Sequence, residues 1–146
     1  MQKSRSELEK LLYAFLAAGS QPDLARLMEF FAEDAILEAS NGSRHEGADA
    51  IAEFFRPVAE GELGQVRYDA VDFFCEVESQ KVMISWNFHT DVGGDEVIRE
   101  GIDILVFDEG RIVKKIAHTK AEKPVLIRPG ERAQGAHANS GVIETG

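Results

Sequence analysis

Between Val82 and His89 the chain alternates. Val82, Ile84, Trp86 and Phe88 fall on one parity, and Met83, Ser85, Asn87 and His89 on the other. A period of two is the mark of a strand with one apolar face. Val92-Gly93-Gly94-Asp95 then supplies the residues of a tight hairpin turn. Val97 to Phe107 continues as a long strand, Asp108-Glu109-Gly110 turns the chain again, and Arg111 to Thr119 forms a last strand. Upstream, Val66 to Val77 is rich in aromatic and β-branched residues and reads as a strand too. Four antiparallel strands in a meander have an apolar face that must be covered.

The N-terminal half supplies the cover. Leu8, Leu11, Leu12, Phe15 and Leu16 recur with a helical period, as do Leu24, Leu27, Met28 and Phe31, and again Ile51, Phe54, Phe55 and Val58. Gly19 and Ser20 break the first helix, and Pro22 and Asp23 suit the first turn of the second. Ala35 to Ala39 is a short candidate strand between helices two and three. Helices segregated from a meander define an α+β domain, with three N-terminal helices packed on an antiparallel sheet. A strongly curved sheet wrapped around helices would leave a cavity at its open end. The length of 146 residues and an apolar content of 44% suit one domain with one core. The expected domain covers residues 1–128, and residues 129–146 read as a polar tail.

A formal net charge of −10 disfavours nucleic acid and anionic membrane as partners. Cys75 is the single cysteine, so no intrachain disulfide is expected. No apolar run reaches the ~18 residues of a membrane span, and Met1 to Lys10 lacks the apolar stretch of a secretory signal. The expected location is the cytoplasm. There is no dinucleotide fingerprint, phosphate loop or nucleophile elbow, and the four histidines are scattered. Neither a metal nor a cofactor is expected.

Asp103 is the most informative residue. Strand parity groups it with Val97, Arg99, Gly101, Leu105 and Phe107. A carboxyl on an apolar face is costly to ionise. It can serve as acid or base, or it can be a buried Asp bonded to a neighbouring Tyr, Trp or Arg. Arg99 lies on the same face, about 13 Å away along a strand, either as a positioning group or as a solvated rim residue. Gly101 between them marks a bulge or a place of close approach. Trp86 and Phe88 either stack on a flat ligand or simply fill the core. Phe15, Phe31 and Phe55, with Leu105 beside Asp103, are further candidate walls. Tyr13 is a candidate oxyanion donor if it faces the cavity, and His118 a candidate acid or base if it lies near the mouth.

These residues resemble the nuclear transport factor 2-like superfamily, with its cystatin-like cone, and within it the ketosteroid isomerase and SnoaL-like polyketide cyclase branches. The likeness runs over roughly residues 8–121. Phe30-Phe31-Ala32-Glu33-Asp34-Ala35 looks like the stretch that closes helix two. Gly47-Ala48-Asp49-Ala50-Ile51-Ala52-Glu53-Phe54-Phe55 resembles the opening of helix three. Gly101-Ile102-Asp103-Ile104-Leu105-Val106-Phe107-Asp108-Glu109-Gly110-Arg111-Ile112 looks like the isomerase strand that carries the oxyanion-hole Asp. The resemblance implies that Asp103 is a carboxylic acid kept protonated to donate a hydrogen bond, and that the oxyanion Tyr falls near Tyr13 or Phe15. The isomerase's catalytic Asp falls at Ala39, and the adjacent Glu38 points to the other face. Cyclase-, epoxide-hydrolase- or dehydratase-like chemistry on a small apolar carbonyl, epoxide or hydroxy compound is therefore expected, rather than steroid isomerisation. The alternative is a non-catalytic binding or assembly module. Apolar residues on both faces of Val97 to Phe107 suggest a homodimer through the sheet.

Overall fold

In the computed structural model, which describes residues 2–21 and 23–121, the chain runs α1 (Arg5–Gly19), α2 (Leu24–Met28), β1 (Phe31–Glu38), β2 (Arg44–Glu46), α3 (Ala48–Ala59), β3 (Gln65–Glu76), β4 (Lys81–Val92), β5 (Asp95–Asp108) and β6 (Arg111–Thr119). The strands form one curled six-stranded sheet in the order β2-β1-β6-β5-β4-β3. The class is α+β, as the segregation of periods implies. Pro22 and the tail expected from residue 129 lie outside the described residues.

Local chemistry accounts for the element ends. A capping box opens α1: Glu7 N–H donates to Ser4 Oγ at 3.2 Å, and Ser4 N–H donates to Glu7 Oε1 at 2.9 Å. Asp23 caps α2 by accepting from Arg26 N–H at 3.1 Å. Val92 pairs with Asp95, so Gly93 and Gly94 form a two-residue hairpin loop with φ of 62° and 87°. Both φ values are positive, which the favoured hairpin turn requires and glycine permits.

The structure corrects the sequence reading at two places. The second helix has five residues and ends at Met28, and Phe31 opens β1 instead of extending the helix. The sheet decides this. Ile112 N–H donates to Phe30 O at 2.8 Å, and β1 closes the open edge of β6 as a parallel neighbour. The Phe31 ring then packs between Phe15 and Phe55, with centroids at 5.6 and 6.1 Å. The second place is the segment around His45, where Leu37 pairs with His45 and β2 adds a sixth strand to the sheet.

The core lies between the helices and the concave face. Leu8, Leu12, Phe15 and Leu16 of α1 and Ile51 and Phe55 of α3 meet Val82, Ile84, Trp86 and Phe88 of β4 and Leu105 and Phe107 of β5. An irregularity in β6 sets which of its side chains join them. Val106 pairs with Lys114, but Phe107 pairs with Ile112, so Val113 is an extra residue in β6. Such a bulge reverses strand parity on either side of itself. Ile112 and Lys115 consequently share the inner face.

Gly101 sits opposite Trp86 on the neighbouring strand. A Cβ there would fall inside the contact envelope of the Trp86 indole and the His118 carbonyl oxygen. The space above Gly101 is thus occupied by the protein's own tryptophan, so of a bulge and a close approach it is the close approach that holds, made by Trp86. Gly101→Ala should destabilise the fold by about 1–3 kcal/mol through overpacking. A denaturant midpoint unchanged from wild type would contradict this packing.

Candidate functional site

The ends of α1 and α3, the turn into α2 and the concave face of the sheet enclose a pocket of about 540 Å³, its open mouth included. Phe15, Leu16 and Ala18 of α1, Leu24 and Leu27 of α2 and Phe55, Val58 and Ala59 of α3 form apolar walls. Gln21 and Asp23 stand in the turn between α1 and α2. From the sheet come Tyr68 of β3, Asp103 of β5 and Lys115 of β6.

Asp103 and Lys115 are each only 2% exposed. Register explains why they meet. Lys115 pairs with Leu105 and Asp103 with Ala117, so the two are diagonal neighbours on one face. Lys115 Nζ lies 3.6 Å from Asp103 Oδ2, an ion-pair distance longer than a good hydrogen bond. Trp86 is diagonal to Asp103 on the opposite side, since Trp86 pairs with Gly101 and Ile84 with Asp103. Three polar atoms gather here, Asp103 Oδ1, Lys115 Nζ and Trp86 Nε1, and all are buried without a hydrogen-bond partner. Buried polar groups are otherwise nearly always paired.

Burial pushes the Asp103 carboxyl up from its ordinary range. The Lys115 ammonium pulls it back down, as do the nearby Trp86 indole and, least, His118. Trp86 sits close enough to favour the carboxylate but does not complete a hydrogen bond to it. Burial pushes the Lys115 ammonium down, and Asp103 opposes this. For both partners desolvation is the largest influence. The pair has two forms without net charge, carboxylate with ammonium and carboxylic acid with amine, and burial favours the second.

The structure sorts the candidate residues. Asp103, Phe15 and Phe55 reach the pocket. Tyr13 points outward from α1 and is 47% exposed, because helical rotation turns it away from the buried Leu12, Phe15 and Leu16. His118 is exposed with Lys114 and Ile116 on the outer parity of β6, since the Val113 bulge sets the facing of the strand. Trp86, Phe88, Phe31 and Leu105 are buried core that supports the pocket from behind. Phe88 lies under the Tyr68 ring at 4.2 Å. Arg99 is half-buried beyond the pocket, with its Nη1 enclosed and unpartnered. Ala39 is buried, and Glu38 faces away to accept from Arg44 at 2.9 Å, so the end of β1 offers the pocket no carboxylate.

Lys115 and Tyr68 are pocket residues that sequence reasoning missed. Lys115 carried no legible signal, because simple alternation groups Ile112 with Lys114 and Ile116. Tyr68 could have been found, since it lies on the inner parity of β3 opposite Phe88. Among the described residues, no group of three or more His, Cys, Asp or Glu side chains could hold a metal ion, and no helix is long and apolar enough to cross a membrane.

A curled sheet capped by helices is the cystatin-like fold of nuclear transport factor 2-like domains. Comparison with known proteins identifies the branch. The SnoaL-like domain family matches residues 12–115, and the chain belongs to it. A candidate polyketide cyclase of Xanthomonas campestris pv. campestris superposes with a TM-score of 0.69 at 20% identity, over 78% of this chain and 90% of that one. A protein of unknown function with a cystatin-like fold from Methylobium petroleophilum gives a TM-score of 0.71 at 18% identity, over 92% and 93%. TerC, co-crystallised with polyporic acid, gives 0.65 at 14% identity, over 78% and 92%. These likenesses are of fold. No curated protein matches the sequence.

The pair has an opposite signature in each single variant. Without Lys115, the folded state holds a proton on Asp103 that the unfolded chain releases above about pH 4. Lys115→Met should therefore lose stability relative to wild type as pH rises from about 5 to 8. Without the Asp103 carboxylate, folded Lys115 gives up a proton that the unfolded chain keeps, so Asp103→Asn should gain stability relative to wild type over the same range. Urea midpoints at both pH values measure this, and parallel profiles for the two variants would refute the coupling.

Proposed function

We propose that the pocket receives a small apolar molecule bearing a carbonyl or hydroxyl oxygen, and that Asp103 exchanges a proton with it in an isomerase- or cyclase-type step. The observation that carries this reading is that Asp103 lines an apolar pocket and its buried Oδ1 has no hydrogen-bond partner. A ligand oxygen placed there satisfies a group that the fold leaves unsatisfied. In its acid form Asp103 donates a hydrogen bond to an oxygen that gains charge. Lys115 Nζ, 3.6 Å away, is the group with which Asp103 shares its proton. Phe15, Leu27, Phe55 and Val58 favour an apolar body and exclude water. The co-crystal of TerC with polyporic acid supports the general idea that such a cone holds an organic ligand.

Proton exchange at carbon tests the reading without knowledge of the natural substrate. Small cyclic ketones incubated with the protein in D2O should take up deuterium beside the carbonyl, followed by NMR. Asp103→Asn should reduce the rate by about 10²–10⁴-fold, the usual contribution of a general acid or base, with the circular dichroism unchanged. Equal rates in both proteins would remove Asp103 from the chemistry.

We further propose that the outer face of the sheet pairs two copies of the chain. Phe74, Met83, Ile104 and Ile116 lie opposite one another across β3 to β6. Phe74 is 62% exposed. A contiguous apolar row of this kind is typical of an interface, and an isologous dimer covers it with itself. Light scattering at micromolar concentration should give a dimer, and Phe74→Asp a folded monomer. A wild-type monomer would refute this assembly.

A further inference from the structure

We infer that Lys115 is a nucleophile whose side-chain amine condenses with an aldehyde or ketone in the pocket to form an imine, with Asp103 as its proton partner. The inference rests on the reading that the pocket admits a small apolar carbonyl compound, and it names the bond that this chain makes to it.

The geometry carries it. Lys115 lines the pocket, and its Nζ is enclosed without a hydrogen-bond partner. Its nearest charged neighbour is Asp103 Oδ2 at 3.6 Å, and the Phe55 ring centroid lies 5.8 Å away. An ammonium has three N–H groups to satisfy, and the one carboxylate nearby, at 3.6 Å, can serve at most one of them. The same site suits an amine, which burial favours here and which has a free lone pair. A lysine desolvated in an apolar pocket is an activated amine nucleophile. The neighbouring Lys114 is unlike it, half-buried on the outer face with its Nζ 3.8 Å from Glu38 Oε2.

The proton balance closes within the pair. Starting from amine and carboxylic acid, the nitrogen lone pair forms a C–N bond, and the carbonyl π electrons move to oxygen, which takes the Asp103 proton. The nitrogen, now cationic, returns one proton to the Asp103 carboxylate. Asp103 then protonates the carbinolamine hydroxyl, the C–O bond breaks, and water leaves. The product is a protonated imine on Lys115 beside the Asp103 carboxylate, so the pocket floor remains neutral throughout. Ala117, directly opposite Asp103, adds little bulk where the carbinolamine must form.

Hexanal with sodium cyanoborohydride near neutral pH traps an imine as a stable secondary amine, and peptide mass spectrometry locates it. 1-Hexanol, of the same length without the carbonyl, reports pocket occupancy by ligand-observed NMR. Labelling at Lys115 should exceed that at the exposed Lys10, Lys81 and Lys120, by about tenfold for each unit by which its pKa lies lower. Lys115→Met should lose the label and still bind 1-hexanol, and Asp103→Asn should slow labelling at Lys115. If 1-hexanol binds wild type while the label spreads over exposed lysines and spares Lys115, the nucleophile is disproved and the pocket stands. If neither hexanal at Lys115 nor 1-hexanol is detected, both readings fall.

Discussion

Two opposite charges buried on one face of a sheet place a severe demand on a fold. Removing a carboxylate and an ammonium from water costs several kcal/mol each, and their mutual attraction repays this only with close geometry and further hydrogen bonds. Asp103 and Lys115 have neither, at 3.6 Å and with an unpartnered atom on each. Well-packed aliphatic side chains of similar volume often serve a fold as well as or better than a buried ion pair. As a brace the pair is poor, and both residues line the pocket, where burial pushes the carboxyl up and the ammonium down. Conversion to acid and amine removes both charges and leaves a donor and a lone pair enclosed on two residues that line the pocket.

The surrounding structure keeps that pair in place. Trp86 fills the space over Gly101 and closes the cone behind Asp103. Tyr68 is wedged at an edge-on 5.3 Å from Trp86 and at 4.2 Å from Phe88, and its backbone N–H donates to Ser20 Oγ at the end of α1. That bond ties the first helix to the sheet at the pocket rim. On the other side Phe15, Phe31 and Phe55 form a second aromatic tier that joins α1, β1 and α3. The cavity is what remains between these tiers, and its width depends on helices held at both ends.

The same strands present different residues on their two faces. Their inner parity carries Asp103, Leu105, Lys115 and Ala117, and their outer parity carries Met83, Ile104 and Ile116. A strand with apolar residues on both faces is costly on the surface of a lone domain, and it is economical where each face has its own cover.

Periodicity made most of this legible in advance. The alternation in β4, the Gly93-Gly94 turn and the inward parity of Asp103, Leu105 and Phe107 follow from a period of two, and the stripes of α1 and α3 from a period near four. The resemblance of residues 101–112 to a known strand pointed to Asp103 and to the family. Other features depended on contacts between distant segments. Phe31 joined a strand because β6 needed a partner. Gly101 was filled because Trp86 stood opposite. Tyr13 turned out and Phe15 in because helix rotation is set by what the helix packs on. Lys115 became visible only through the bulge at Val113. The sequence by itself determined which residues alternate and which recur by turns, since those are local properties of the backbone. Tertiary structure alone decided which polar groups share the buried floor, because one extra residue in a strand exchanges its two faces and only the partner strand records it.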